Sequence, residues 1–288
     1  MFRRRRILHA ALAGSAAMLQ GCSPIALLNG VVPASTYNAK TGISYGTHDR
    51  HKLDVYRPVS APAAAPVVVF FYGGNWDSGE RANYLFAGEA LAAKGYVAVI
   101  PDYRLYPEVR YPDFLTDCAA AVRWVYEHIA EFGGDPRRVF LMGHSAGAYN
   151  AAMLALNPAL LLAAGVDPSR VCGLIGLAGP YDFIPLTGPI TKAVFGFPDT
   201  PITSQPIHYA SPASPPALLV TGDQDDLVMP GNSTRLAAQL HKHGAQARAI
   251  VYSGMGHLKI VGALAAPLRG IPGFGVVLDD VATFINAH

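Results

Sequence analysis

Short hydrophobic runs alternate with longer segments of helical periodicity along most of the chain. Most of the runs are continuously apolar rather than alternating in polarity, which is typical of strands that are covered on both faces. The seven predicted strands begin at His51, Pro66, Tyr96, Arg138, Val171, Ala217 and Ala247. Helices are predicted over residues 81–94, 111–132, 146–156, 231–243 and 279–286. This alternation predicts the α/β class, with a mostly parallel central sheet and helices on both faces.

One segment interrupts the alternation. Residues 183–216 contain eight prolines, which is too many for a buried helix or strand because each proline removes a backbone donor. Ligands of parallel α/β sheets bind beyond the carboxyl ends of the strands, where long loops commonly cover the site. We therefore predict a lid-like insertion here, with a surface loop of no functional consequence as the alternative.

The remaining pattern predicts one domain over residues 52–288, because no charged or low-complexity linker divides it. Residues 23–51 are predicted to be a tether that leads into this domain. Hydrophobic residues make up 51% of the chain and charged residues 15%, which suits a large core. The net charge of +2 falls to about −2 when Arg3 to Arg6 are set aside, so nothing in the domain's charge predicts binding to nucleic acid.

The first 22 residues have the features of an export signal. The four arginines precede an apolar stretch, Ile7 to Leu19, that is too short to span a bilayer. Leu19-Gln20-Gly21-Cys22 resembles a bacterial lipoprotein processing site, at which the cysteine is lipidated. We expect an exported protein that Cys22 anchors to a membrane surface facing the periplasm. The alternative is an ordinary cleaved signal and a periplasmic or secreted protein.

The other two cysteines are Cys118, in a predicted helix, and Cys172, at the start of a predicted strand. We interpret both as small hydrophobic residues rather than as a disulfide. His241 and His243 face different sides of a predicted helix and have no further ligands nearby in the sequence, so no metal site is predicted.

A serine between two glycines follows the fourth predicted strand. Gly143-His144-Ser145-Ala146-Gly147 matches the pattern G-x-S-x-G, with an apolar strand before it and a helical segment after it. This is the context of a nucleophile elbow, a tight turn that exposes the serine and requires small neighbours. Ser145 is therefore the candidate nucleophile.

A serine nucleophile needs a base, and the base needs an acid to orient it. Asp223, Asp225 and Asp226 follow the predicted strand that begins at Ala217. His257 follows the last predicted strand, in a glycine-flanked loop. The order Ser, Asp, His therefore appears with each residue just beyond a strand. His257 is the candidate base, and any of the three carboxylates could be the acid.

From about Lys52 to the C-terminus, these motifs resemble the α/β-hydrolase family. The resemblance is to its carboxylesterase branch, which is related to hormone-sensitive lipase and kynurenine formamidase. The family's G-x-x-D spacing selects Asp225 as the acid, with Asp223 and Asp226 left possible. The resemblance implies an α/β-hydrolase fold and catalysis without a cofactor.

The sequence FFYGGNWDSG resembles the family's H-G-G-x-W loop. The resemblance implies that backbone N–H groups of Gly73, Gly74 and Asn75 form an oxyanion hole together with the N–H of Ala146. Tyr72 stands where the family has a histidine that steadies the loop, and its hydroxyl could replace that hydrogen bond. We expect Tyr72 and Trp76 to contact the substrate.

The expected function is hydrolysis of small-molecule carboxylic esters by a serine esterase that forms an acyl-enzyme. An arylformamidase-like amide hydrolase is the alternative within the same fold. A lipid-anchored binding protein on a hydrolase scaffold is the alternative of another class. The natural substrate, acyl-chain length and oligomeric state stay open.

Overall fold

A single eight-stranded sheet forms the centre of the computed structural model, which describes residues 26–60, 64–274 and 276–288. The strands are β1 (Tyr37–Ser44), β2 (Lys52–Pro58), β3 (Ala65–Phe71), β4 (Val97–Pro101), β5 (Gly134–His144), β6 (Val171–Leu177), β7 (Ala217–Gly222) and β8 (Ala247–Tyr252). Their order in the sheet is β1-β2-β4-β3-β5-β6-β7-β8. β2 is antiparallel to both of its neighbours, β1 and β4, and all other pairs are parallel. The central strands β3 and β4 are buried at every position, as their continuous hydrophobic runs predict.

Eight α-helices connect the strands or follow them within the described residues. They are α1 (Leu85–Ala93), α2 (Asp113–His128), α3 (Ala146–Leu156), α4 (Pro158–Ala163), α5 (Pro189–Val194), α6 (Gly231–Lys242), α7 (His257–Gly262) and α8 (Val277–Ala287). The alanine-rich α3 is buried along its whole length and packs against β3, β5 and β6. The predicted α/β architecture with a mostly parallel sheet is confirmed.

The prediction that residues 23–51 are a tether is wrong from residue 26 onward. Residues 37–44 form β1, whose side chains are mostly exposed and polar, so the hydrophobic pattern could not indicate it. Gly42, in a bulge of β1 at a φ of 71°, donates its N–H to Asp54 Oδ1 at 2.8 Å. Asn29 lies in a short 3₁₀ helix and bonds the backbone at Ala82 and Phe86. These contacts attach the segment to the body of the domain.

The proline-rich segment 183–216 is tied down by side chains of the surrounding structure. Tyr149 Oη donates to the carbonyl of Ser204 at 2.8 Å. Gln205 Oε1 accepts from the N–H of Phe183 at 2.8 Å, so the start and the middle of the segment are joined. α5 and two 3₁₀ turns lie within it. That the segment opens and closes as a lid stays a prediction.

Both cysteines among the described residues are free. Cys118 is buried, whereas Cys172 is half-buried and its thiol lies 3.2 Å from the carbonyl oxygen of Arg137. None of the described helices has both the length and the apolar composition needed to cross a bilayer. The predicted signal peptide (residues 1–22) and Cys22 lie outside the described residues.

Candidate active site

Ser145 occupies the turn between β5 and α3. Its φ of 56° and ψ of −124° are rarely adopted by a residue with a side chain. Three hydrogen bonds hold this strained backbone: the N–H of Ser145 donates to the carbonyl of Leu177 at the end of β6 (2.9 Å), and its carbonyl accepts from the N–H groups of Ala148 (2.9 Å) and Tyr149 (3.2 Å). The strain is therefore maintained by a neighbouring strand and by the first turn of α3.

The glycines beside Ser145 allow close backbone contacts. A Cβ at Gly143 would lie 2.2 Å from the carbonyl oxygen of Gly147. A Cβ at Gly147 would lie 2.0 Å from the carbonyl oxygen of Phe71, at the end of β3. Neither position can hold a larger residue without moving backbone, so the two glycines bring the elbow against the central strand.

His257 is paired with Asp225. The ring Nδ1 lies 2.8 Å from Asp225 Oδ2, and both side chains are buried. The other carboxylate oxygen, Oδ1, accepts from the N–H groups of Leu227 (3.1 Å) and Val228 (2.8 Å). Because the carboxylate accepts from Nδ1–H, the Nε2 of a neutral ring is left as a proton acceptor.

The neighbouring carboxylates are placed differently. Asp223 is exposed and accepts hydrogen bonds from the N–H of Gly254 (2.7 Å) and the hydroxyl of Ser253 (2.9 Å). These hydrogen bonds lower the pKa of Asp223. Asp226 is exposed. Of the three candidates from the sequence, only Asp225 contacts His257 among the hydrogen bonds of the described residues.

His257 is the first residue of α7, not a loop residue as the flanking glycine predicts. It lines a cavity of about 340 Å³ together with Ser145. No hydrogen bond joins the Ser145 hydroxyl to the His257 ring within the described part of the chain, and such bonds commonly tighten only when substrate binds. The nucleophile and the base thus open onto the same space.

His144, inside the elbow, supports His257. Its Nε2–H donates to the backbone carbonyl of His257 at 3.2 Å, and the two ring centroids are 4.8 Å apart. Burial, followed by the nearby charge of His257, lowers the pKa of His144 well below its usual value. His144 therefore stays neutral and contacts the base without competing for its proton.

Three consecutive residues after β3 have positive φ angles: Gly74 (130°), Asn75 (53°) and Trp76 (62°). The turn is closed by the N–H groups of Asp77 and Ser78, which donate to the carbonyl of Gly74 at 3.1 and 3.0 Å. The N–H groups of Gly74 and Asn75 have no acceptor among the described residues. They are therefore available to a ligand.

Ala146 supplies a third such donor at the start of α3. Its N–H also has no acceptor within the described residues. Ala146 and Asn75 line a cavity of about 140 Å³ beside Ser145. Residues of the loop and of the elbow whose N–H groups are unpaired among the described residues thus line the space next to the candidate nucleophile, where an oxyanion hole would need donors.

The predicted role of Gly73 as an oxyanion donor is wrong. Its N–H donates to Tyr84 Oη at 3.2 Å, and burial raises the pKa of Tyr84, so that hydroxyl keeps its proton. A Cβ at Gly73 would lie 3.0 Å from Ser145 Cβ and 3.1 Å from His144 Nδ1. Gly73 thus gives the elbow room rather than a hydrogen bond.

The predicted contact between Tyr72 and substrate is also wrong. Tyr72 is completely buried and lines neither cavity at Ser145. Its ring stacks on Tyr103, with centroids 4.8 Å apart, and its Oη accepts from Arg50 Nη2 at 2.7 Å. Its side chain therefore packs beneath the glycine loop, on the side away from the cavities. This agrees with the prediction that the Tyr72 hydroxyl replaces the hydrogen bond of the family's histidine.

Trp76 lines the 140 Å³ cavity, and its contact with substrate stays a prediction. Its indole Nε1–H donates to Asn150 Oδ1 of α3 at 3.1 Å. Phe183 stacks on the indole at 6.2 Å, and Phe195 meets it edge-on at 4.9 Å. The proline-rich segment therefore contributes Phe183 to the cavity wall, and Phe195 packs against Trp76.

Several residues of the cavity walls were not among the site residues predicted from the sequence. The smaller cavity is also lined by Pro180, Leu186, Thr187, Gly188, Thr191 and Val228, and the larger one by Ser78, Gly79, Asn83, Tyr84 and Leu258. The available signals were the expected position of residues 183–216 over the strand ends and, for Ser78 and Gly79, their place in the loop sequence FFYGGNWDSG. Leu227 lines both cavities and is 72% exposed.

The arrangement combines a serine in a tight turn, a histidine held by a buried carboxylate, and backbone N–H groups without an acceptor among the described residues. These are the parts that acyl transfer by a serine nucleophile requires. Within the described residues, no group of three or more His, Cys, Asp and Glu side chains could hold a metal ion.

Sequence comparison matches residues 53–240 to the BD-FAE family. The chain is 30% identical over 270 residues to isoprenylcysteine alpha-carbonyl methylesterase of Arabidopsis thaliana, covering 86% of this chain and 62% of that one. It is 29% identical over 273 residues to esterase LipC of Mycobacterium tuberculosis, covering 88% and 64%. The chain thus spans a little under two thirds of these relatives' length.

Structural comparison matches the fold to a solved esterase. Esterase B from Lactobacillus rhamnosis HN001 superimposes with a TM-score of 0.75 at 21% identity, covering 88% of this chain and 86% of that one. This likeness supports the predicted fold class.

Proposed function

Because the chain belongs to the BD-FAE family of α/β-hydrolase esterases, we propose that it hydrolyses carboxylic esters through a covalent acyl group on Ser145. The observation that carries the proposal is the buried Asp225–His257 pair, 2.8 Å apart, which opens onto the same cavity as Ser145. Related proteins named as esterases support the reaction class.

In the proposed reaction, His257 Nε2 accepts the hydroxyl proton as Ser145 Oγ attacks the ester carbonyl. The oxyanion receives hydrogen bonds from the N–H groups of Ala146 and of Gly74 or Asn75. His257 then gives its proton to the leaving alcohol, and water releases the acid by the same steps. Asp225 keeps Nδ1 protonated throughout and stabilises the charged ring.

The two cavities that meet at Ser145 can each hold one part of the ester, the acyl group or the alcohol. Only the larger cavity includes His257, and the leaving alcohol must receive its proton from that ring. The alcohol therefore occupies the larger cavity, and the acyl group occupies the smaller cavity, which Trp76 and Phe183 help to line.

We expect a preference for short acyl groups. A cavity of about 140 Å³ is close to the size that holds one benzene, a six-carbon molecule. The kcat/KM for p-nitrophenyl acetate and butyrate should exceed that for the decanoate by about tenfold or more, because longer chains leave the cavity. Initial rates across the ester series measure this.

A matched pair of variants sharpens this test. Leu186→Ala enlarges the smaller cavity and should move the optimum to longer chains, whereas Leu162→Ala changes an exposed residue and should not. Rates that rise steadily with chain length in the wild type would contradict the assignment of the acyl group. Cleavage of N-formylkynurenine in preference to every ester would replace the esterase proposal by the amidase alternative.

We further propose that the protein is exported and held on a membrane surface by lipid on Cys22. The basic start, the short apolar stretch and the sequence Leu19-Gln20-Gly21-Cys22 support this location. In a bacterial host, the wild type should sediment with membranes and incorporate labelled palmitate. Cys22→Ala should abolish both, and Cys172→Ala should change neither. Wild-type protein without lipid label would contradict the anchor.

A further inference from the structure

Both ends of the loop that carries the oxyanion donors contact one side chain. The loop runs over residues 72–79, and Arg50 Nη2 donates to Tyr72 Oη at 2.7 Å and to the carbonyl of Gly79 at 2.9 Å. The two ends also touch each other, since a Cβ at Gly79 would lie 2.7 Å from the carbonyl oxygen of Gly73. Arg50 therefore bridges the base of the loop.

Arg50 is itself held in place from two sides. It lies in the turn between β1 and β2, where the N–H of Tyr45 donates to the carbonyl of His51 at 3.0 Å. Its Nε donates to the carbonyl of Tyr103 at 2.8 Å, just beyond β4. Asp102 Oδ1 lies 3.8 Å from Nη2 and balances the charge. The guanidinium is thus positioned before any substrate arrives.

Tyr72 transmits this position to the loop. It is buried between the rings of Tyr84 and Tyr103, and its carbonyl accepts from Tyr103 Oη at 2.9 Å. Since Gly74 follows two residues later, a shift of Tyr72 would move the free N–H groups of Gly74 and Asn75. A misplacement of about 1 Å in an active site can cost about 100-fold in rate.

We propose that Arg50 is a positioning residue for the oxyanion hole. It lines neither cavity at Ser145 and acts by fixing Tyr72 and Gly79, so that the loop's donors face the developing oxyanion. One planar guanidinium bonds three acceptors here, which the single ammonium of lysine cannot reproduce. The proposal rests on the ester hydrolysis proposed above.

The test compares Arg50→Ala with Arg57→Ala in the full chain. Arg57 is an exposed residue of β2 and serves as the matched control. For Arg50→Ala we expect kcat on p-nitrophenyl acetate to fall about 10- to 100-fold with KM changed less than about twofold, because the oxyanion forms only in the transition state. The affinity for a trifluoromethyl ketone, which forms an oxyanion adduct, should fall by the same factor.

Chemical rescue separates positioning from general stability. Arg50 is partly exposed, so millimolar guanidinium should restore part of the activity of Arg50→Ala and leave Arg57→Ala unchanged. Arg50→Lys should recover only part of the loss. Tyr72→Phe removes one hydroxyl and should lower kcat less than Arg50→Ala does. The two effects should be less than additive in the double variant, because both act through one hydrogen bond.

The outcomes distinguish this proposal from the proposed function. Three results for Arg50→Ala would overturn the positioning role and leave the esterase proposal standing. They are a wild-type kcat, a change in KM alone, or a loss of activity that guanidinium does not rescue and that is fully additive with the effect of Tyr72→Phe. A wild type that neither cleaves esters nor reacts with a fluorophosphonate at Ser145 would overturn both. If Arg50→Ala fails to fold, Tyr72→Phe and Arg50→Lys decide the question by the same kcat and inhibitor measurements.

Discussion

Replacing Ser145 with alanine should lower kcat by about 10⁴- to 10⁶-fold, since this residue is the proposed nucleophile. The fold should persist, because the elbow is held by backbone bonds of Ser145 to Leu177 and Ala148, which alanine keeps. The measurements are kcat on p-nitrophenyl acetate and covalent labelling by a fluorophosphonate.

Ser169→Ala is the control for this substitution. Ser169 is exposed, and its hydrogen-bond partner among the described residues is Asp167. It lies just before β6, near the amino ends of the parallel strands, whereas the site lies at their carboxyl ends. It should retain the wild-type rate. An Ser145→Ala protein that keeps more than about one hundredth of the activity, or that still reacts with the fluorophosphonate, would remove Ser145 from the mechanism.

The second large effect is expected for Asp225→Asn, at about 10⁴-fold in kcat. An asparagine amide can donate to His257 Nδ1, which places the ring proton on Nε2, so the ring can no longer accept the proton of Ser145. The geometry would change little because the two side chains have the same shape. Steady-state kcat, together with thermal unfolding, separates this effect from a loss of structure.

The neighbouring carboxylates provide matched controls. Asp223→Asn and Asp226→Asn make the same chemical change at exposed positions that have no hydrogen bond to His257 among the described residues. Both should stay within about twofold of the wild-type kcat, as expected of surface substitutions. A large loss in Asp226→Asn with normal activity in Asp225→Asn would reassign the acid.

The parts of the fold that the sequence predicts are those determined by local pattern. Continuous apolar runs indicate the buried strands, and the glycines around Ser145 place the start of α3 at Ala146, where the structure has it. His257 could be selected because it follows a strand whose carboxyl end lies on the same side of the sheet as Ser145. The same argument left Asp223, Asp225 and Asp226 open, and only the G-x-x-D spacing of the resembling family selected Asp225.

Other features depend on contacts that no local pattern contains. The N–H of Gly73 is engaged by Tyr84, and Tyr72 is held by Arg50, which is 22 residues away in sequence. The sequence suggests donors and a substrate contact at these positions, but which groups stay free depends on what packs against them. β1 escaped prediction for a related reason, since an exposed polar strand has no hydrophobic face to reveal it.

β1 also has a consequence for solubility. β2 presents a run of apolar side chains that includes Leu53, Val55 and Tyr56, and an uncovered edge of this kind pairs readily with strands of other molecules. β1 covers that edge with mostly exposed polar residues, among them Lys40, and a bulge at Gly42 interrupts its regular pairing. Natural sheets use these same devices against edge-to-edge aggregation. The hairpin that holds Arg50 therefore also protects the sheet from self-association.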